Sequence, residues 1–148
     1  MNILILGSGG REHSLAWAVK QNPKCDTLYC SPGNAGISKI AQCIDLNIEN
    51  SSEIIKFCID NDIYFVIIGP EAPLAMGIAD DLRAKNILTF GPSASAAKLE
   101  SSKAFTKSVC DACNAPTAEY VRFTELEPAL NYVNEKGAPI VVKADGLA

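Results

Sequence analysis

The sequence predicts an α/β fold: a doubly wound, mostly parallel sheet with helices on both faces. Three observations carry the prediction. Short apolar runs alternate with amphipathic stretches in β-α-β order through about residue 90. One run, "IYFVIIGPE", is apolar on both faces, so layers must cover it on both sides. The chain also opens "MNILILGSGGREHSLAW", where an apolar run meets a glycine cluster and then a helix-like stretch. Strand, glycine-rich turn and helix together form a common phosphate-holding unit.

The elements follow in order. Asn2–Leu6 reads as the first strand. A helix follows over about Glu12 to Gln21, with Leu15, Ala18 and Val19 on one face and Pro23 closing it. "DTLYCS" reads as the second strand, "PGNAG" as a loop and "IAQCID" as a short third strand. Asn50 and Glu53 form an N-x-x-E capping pattern, so a helix begins ahead of "IIKFCID". "IYFVIIGPE" is the strongest strand. "PLAMGIADDLRAKN" is the next helix, and "ILTFGPS" is the next strand with its exit.

Beyond about Ser93 the character changes. "SASAAKLESSKAFTKSVCDACNA" reads as helix, break near Ser101, helix. "TAEYVRFT" is strand-like, "ELEPALNYVNEKG" is a helix stopped by Gly137, and "APIVVKAD" is a strand. The expected organisation is an α/β domain over 1–100 and the beginning of a second domain over 101–148. The second piece is too short to bury a core of its own.

Composition narrows the function. The 148 residues are 48% hydrophobic and 20% charged, with a net charge of −4. An acidic chain does not suit a nucleic-acid or anionic-membrane binder, since both require a basic surface. Ile3–Leu6 is too short for a signal-peptide core, and no apolar run approaches the ~18 residues of a membrane span. The expectation is a cytoplasmic protein with reduced thiols and no membrane partner. Of six cysteines, only Cys110 and Cys113 form a C-x-x-C, and they lie on a predicted helix. There is no second such pair, and His13 is the only histidine. The cysteines therefore read as small hydrophobes, and no metal ligands are assigned.

The glycine cluster matches the dinucleotide fingerprint G-x-G-x-x-G at Gly7 and Gly9 only. Its third position is Glu12, and the expected acid after strand two is replaced by Cys30-Ser31-Pro32. An NAD(P)-binding oxidoreductase domain is thereby disfavoured, though it stays an alternative beside a non-catalytic nucleotide-binding module. Gly7, Gly9 and Gly10 let a ligand approach the backbone, or simply make a tight turn. Arg11 adds charge to an anion site or is solvated. Glu71 follows the end of the strongest strand. It either faces the crevice at the carboxyl edge of the sheet or satisfies a helix dipole. Asn34 sits in a third loop expected on that edge. Lys103 opens a helix. Lys143 closes an apolar run predicted as strand, where an ammonium asks for an anion.

"ILILGSGGREHSLAW", "SPGNAG", "IGPEAPLAMGIADDL", "FGPSASAAKLESSKAFTK", "PTAEY" and "PIVVKADGLA" occur in an order and spacing that resembles the phosphoribosylamine–glycine ligases, also called glycinamide ribonucleotide synthetases, of the ATP-grasp superfamily. The resemblance covers essentially the whole chain. It implies a Rossmann-like pre-ATP-grasp domain followed by the start of an α+β ATP-grasp domain. It implies an ATP-dependent carbon–nitrogen ligase of purine biosynthesis. Glycine is phosphorylated to glycyl phosphate, and 5-phosphoribosylamine attacks it to give glycinamide ribonucleotide, ADP and phosphate. The implied partners are small molecules, namely 5-phosphoribosylamine, glycine and ATP, with Mg2+ on the nucleotide. By the same resemblance Gly9, Gly10 and Arg11 lie at the phosphoribosylamine end of the crevice, and Glu71 is placed to hold an amine. Lys103 and Lys143 match the two lysines on the ATP phosphates. The family's glycine-rich lid, adenine strand and magnesium carboxylates have no counterpart in this sequence. The resemblance thus implies an N-terminal portion, with metal ligands beyond residue 148, no catalytic residue within the chain and no activity of the chain alone.

Overall fold

The structure, a computed structural model, describes residues 1–147. Ala148, the last residue of "PIVVKADGLA", lies outside the described residues. The chain divides into two compact units, the first over Met1–Lys98 and the second beginning at Leu99.

Five parallel strands form the sheet of the first unit: β1 (Asn2–Gly7), β2 (Leu28–Pro32), β3 (Gln42–Cys43), β4 (Ile63–Ile68) and β5 (Leu88–Phe90). Their order is β3-β2-β1-β4-β5. From β1 the chain first winds outward through β2 and β3, then returns to add β4 and β5 on the other side. The winding therefore reverses between β1 and β4, whose pairing runs from Ile3 opposite Phe65 to Leu6 opposite Ile68. A reversal of this kind opens a crevice at the carboxyl ends of the two strands.

Alternation of side chains along β1 decides the two faces. Leu4 and Leu6 point to a layer made by α2 (Ser51–Asp60), α3 (Glu71–Met76) and α4 (Ile78–Ala84), where Ile54, Cys58, Val66 and Leu82 close the core. Ile3 and Ile5 point the other way, to α1 (Gly10–Lys20) and a short 3-10 turn at Ile37–Lys39, against Ala16, Leu28 and Ile67. Burying each such side chain contributes about 1.5–3 kcal/mol. The doubly wound, mostly parallel sheet expected from the sequence is observed, and all of its strand pairings are parallel.

Local chemistry sets the helix ends. The Asn50 side chain accepts from the amides of Ser52 and Glu53, capping α2. Glu53 does not complete the capping box on Asn50, because its carboxylate accepts from the Asn47 amide at 3.1 Å. The stretch expected as one helix after β4 is two, α3 and α4, because Gly77 takes a left-handed conformation between them (φ 93°). A residue without a Cβ adopts that conformation freely.

The second unit holds the end of α5 (Ala94–Ser101) with α6 (Lys103–Cys113) and α7 (Leu126–Lys136). The helix break near Ser101 is present, and Ser102 caps α6 by accepting from the Phe105 amide at 3.2 Å. Gly137 ends α7. The two strands expected at 117–124 and 138–145 are not formed. Both segments are irregular and exposed, with Val141 and Val142 at 76% and 77%. A strand exists only by pairing, and neither segment meets a partner among the described residues.

Candidate functional site

The crevice at the winding reversal is built from the exits of β1 and β4. The Gly69 amide donates to the Leu6 carbonyl at 3.1 Å, so the β4 exit lies directly against the end of β1. Gly7 ends β1 with φ 125°, a conformation open to glycine, and turns the chain toward α1. Gly9 is the N-cap of α1 and Gly10 its first residue. A Cβ on Gly10 would meet nothing within 4 Å, so this position opens on free space.

Three charged side chains meet here. Arg11 donates from Nη1 to Glu71 Oε1 at 2.8 Å and from Nε to Glu12 Oε1 at 3.1 Å. Glu12 Oε2 accepts from the Gly9 amide at 2.7 Å. Arg11 and Glu71 are partly open to solvent, while Glu12 is only 4% exposed. The hydrogen bond to Glu71 raises the Arg11 pKa. The same bond, aided by the backbone amide of Glu71, holds the Glu71 carboxyl below the ordinary glutamate range. With two carboxylates on one guanidinium, the cluster carries net negative charge. Arg11 and Glu71, separate candidates in the sequence, are thus brought together. Gly9 lies at the same strand exit, with its amide bonded to Glu12.

Glu12 is a residue of this cluster that sequence reasoning did not single out. It occupies the third position of the dinucleotide fingerprint, and space is made for it by glycines on both strand exits. A Cβ at Gly69 would fall 2.0 Å from Glu12 Oε1, and one at Gly7 would fall 2.6 Å from Glu12 Cγ. A buried carboxylate fills the place where a dinucleotide fold brings its helix close to the sheet, which argues against that reading. The available signal was a glutamate three residues after the N-cap, the reaching-back half of a capping box.

Asn34 ties a third loop to the turn. Its Nδ2 donates to the Ser8 carbonyl at 2.7 Å, and its Oδ1 accepts from the amides of Gly36 and Ile37. His13 packs over Gly36, where a Cβ would lie 2.5 Å from His13 Cε1. Beside Arg11, a cleft of about 390 Å³ is lined by Leu15, Ile68, Gly69, Leu74 and Phe90. Arg83 borders it and donates to the carbonyls of Thr89 and Gly91.

In the second unit, Asp145 holds the "KADGL" segment on the N-terminus of α6. Its Oδ1 accepts from the amides of Lys103 at 2.7 Å, Ala104 at 3.3 Å and Gly146 at 3.1 Å. The Ala104 and Lys103 amides, with that of Gly146 and the Ser102 hydroxyl, lower the Asp145 pKa. Lys103 is half-buried and donates from Nζ to the Gly146 carbonyl at 2.7 Å. Lys143 is exposed, and it does not lie in an apolar strand. The argument from a buried ammonium therefore fails for Lys143, since an exposed ammonium is hydrated and needs no anion. Asp145 was also missed by sequence reasoning; an aspartate ahead of glycine reads locally as a turn residue.

Among the described residues no group of three or more His, Cys, Asp or Glu side chains is placed to hold a metal ion. Nor is any helix long and apolar enough to cross a membrane.

Comparison with known proteins matches both parts of the chain. Residues 1–100 match the family "Phosphoribosylglycinamide synthetase, N domain", and residues 101–148 match "Phosphoribosylglycinamide synthetase, ATP-grasp (A) domain". The chain is 55% identical over all 148 residues to the phosphoribosylamine–glycine ligase of Rhizobium meliloti (strain 1021), covering 35% of that protein. It thus spans about a third of the length of such relatives. The crystal structure of the Thermotoga maritima phosphoribosylamine–glycine ligase superposes on 99% of this chain and 34% of its own, with a TM-score of 0.69 and 26% identity. The biotin carboxylase domain of the Hydrogenobacter thermophilus 2-oxoglutarate carboxylase, solved with MgADP, shares the fold at a TM-score of 0.67 and 19% identity. It covers 93% of this chain and 33% of that one.

Proposed function

From the premise that the chain belongs to the phosphoribosylglycinamide synthetase family, we propose that it supplies the ribosylamine-binding wall and two nucleotide-phosphate lysines of an ATP-dependent phosphoribosylamine–glycine ligase. Residues 1–100 form the substrate-binding domain, and 101–148 begin the ATP-grasp domain. The observation that carries the reading is the Arg11–Glu71 pair, 2.8 Å apart, at the reversal of the sheet.

Its charge favours an amine over a phosphate. Glu71, held ionised by Arg11, only accepts hydrogen bonds. It takes an N–H of the 5-phosphoribosylamine amine and orients the nitrogen lone pair toward the acyl carbon of glycyl phosphate. The gain is one of orientation, which removes much of the entropy cost of bringing two reactants together. Gly10 leaves room for the ribosyl group to approach the α1 backbone.

ATP supplies the phosphoryl group that activates glycine. Lys103 uses one of its three ammonium donors on Gly146, leaving others for phosphate oxygens. Lys143 reaches phosphate from a solvent-exposed segment, and its support is the family motif alone. On this reading the Mg2+ ligands belong to the part of the family fold that this chain does not span. The chain by itself is inactive on this reading. The protein works in the cytoplasm, where its six cysteines stay free.

The test uses the full-length protein containing this chain, assayed for ADP and glycinamide ribonucleotide. Glu71→Gln should lower kcat/KM for phosphoribosylamine by ~10- to 100-fold and leave the KM for ATP in place. Lys143→Ala should do the reverse, weakening ATP. A wild-type protein that makes no glycinamide ribonucleotide would overturn the reading.

A further inference from the structure

Glu12 is the only buried charged side chain of the first unit, and the reaction above gives it no direct part. We infer that Glu12 is a positioning residue: it fixes the Arg11 guanidinium and the glycine turn so that Glu71 faces the ribosyl amine. The inference rests on the substrate reading above.

Both Glu12 oxygens are spent on the wall of the crevice. Oε2 holds the Gly9 amide at 2.7 Å, and Oε1 holds Arg11 Nε at 3.1 Å. Anchored at Nε, the planar guanidinium keeps Nη1 on Glu71 at 2.8 Å. Without that anchor the exposed arginine would be free to turn toward solvent, and Glu71 would lose its fixed orientation. The three glycines around Glu12 point the same way. A Cβ would fall 2.6 Å from Cγ at Gly7, 2.9 Å from Oε2 at Gly9 and 2.0 Å from Oε1 at Gly69. Two strand exits have been cleared to admit a carboxylate. A residue needed for packing alone would be apolar, because a buried charge is costly unless partnered.

Removing the charge should therefore damage amine positioning and spare nucleotide binding. The experiment is steady-state kinetics on the full-length protein, varying phosphoribosylamine, glycine and ATP in turn, for Glu12→Gln, Glu12→Ala, Arg11→Ala and the Arg11→Ala/Glu12→Gln double variant. Gln keeps the size and can still accept from Gly9, but it loses the charge-assisted bond to Arg11. Glu12→Gln should lower kcat/KM for phosphoribosylamine by ~10- to 100-fold, with the KM for ATP within about twofold of wild type. The double variant should lose no more than Arg11→Ala alone, since Glu12 acts through Arg11. Glu12→Asp should recover part of the loss.

If Glu12→Ala does not fold, Glu12→Gln and the double variant carry the comparison. An unchanged phosphoribosylamine dependence in Glu12→Gln would overturn the inference. So would an equal loss for all three substrates, or losses that add in the double variant. These results differ from failure of the ligase reading, in which the wild-type protein itself would be inactive.

Discussion

The two units of this chain follow the same local rules and reach different ends. In the first, every strand of the sheet has a parallel neighbour, and Leu4, Ile5 and Leu6 are fully buried between two helical layers. In the second, α6 starts at a Ser102 cap and α7 stops at Gly137, yet neither helix buries a single residue. Helix formation is largely a local matter of periodicity and caps, whereas a strand is defined by what lies beside it. The same kind of apolar run, "ILIL" near the start and "PIVV" near residue 140, is core in one unit and exposed irregular chain in the other.

The largest expected effect tests this contrast directly. Leu4→Ala should destabilise the chain by ~2–5 kcal/mol, through lost burial and the cavity left behind. Leu130→Ala, at a position 46% exposed in α7, should change stability by no more than about 0.5 kcal/mol. Urea unfolding followed by circular dichroism measures both. Equal losses at the two positions would break the comparison, because Leu130 would then have to be packed.

A smaller effect is expected at the helix caps. Asn50→Ala removes the acceptor for the Ser52 and Glu53 amides and should cost about 1 kcal/mol of first-unit stability. Ser102→Ala removes the acceptor for Phe105. Its effect should appear as faster amide exchange in the first turn of α6, with no shift of the first unit's unfolding midpoint.

The same contrast governs what was legible in the sequence. Most of the parallel sheet was readable because β1, β2, β4 and β5 carry their own evidence: period, composition and a glycine or proline at the exit. The break at Gly77 was not, because "PLAMGIADDL" keeps its helical pattern across the glycine while the backbone turns there. The strands expected at 117–124 and 138–145 failed because composition cannot report an absent neighbour. In the site, Arg11 and Glu71 were separately visible as charged residues after strand ends, but their pairing depends on which strands are adjacent. Glu12 was read as a missing glycine. Its role required knowing that Gly69, 57 positions later, would leave it room.

Acid should act on one carboxyl in each unit. Glu71 and Asp145 both have folded pKa values below the ordinary carboxylate range. A depressed carboxyl contributes stability that is complete above its unfolded pKa and is lost as pH falls through its folded value. The Arg11–Glu71 pair and the Asp145 cap should therefore persist through pH 5 and weaken only below about 4. Carboxyl carbon titrations by NMR should show both midpoints displaced downward. Arg11→Ala should move Glu71 back toward the usual range, with the backbone amide still lowering it, and leave Asp145 where it was. A wild-type Glu71 that titrates normally would remove the basis for its fixed ionisation.

The smallest effect on stability, and the sharpest map of the two units, should come from the thiols. Cys30 and Cys58 are buried in the first unit, and burial pushes their pKa values up to about 12 and about 11. Cys43 and Cys113 are exposed, one in each unit, and α6 carries Cys110 and Cys113 without burying either. The thiolate is the reactive form. At pH 8 a thiol of pKa about 12 is ionised to about one part in ten thousand, against about a quarter for a model-peptide thiol of pKa about 8.5. Burial adds a second barrier, because a reagent must wait for the sheet to open. Iodoacetamide at pH 8 with peptide mass mapping should therefore label Cys43 and Cys113 first and Cys30 and Cys58 last. The two late sites should become reactive together, at the urea concentration that unfolds the first unit. Cys110→Ser with Cys113→Ser should leave that midpoint unchanged, since neither thiol is part of a core. Early labelling of Cys30 would mean that the β3–β2 side opens independently of the rest of the sheet, and a shifted midpoint in the double variant would mean that α6 is packed after all.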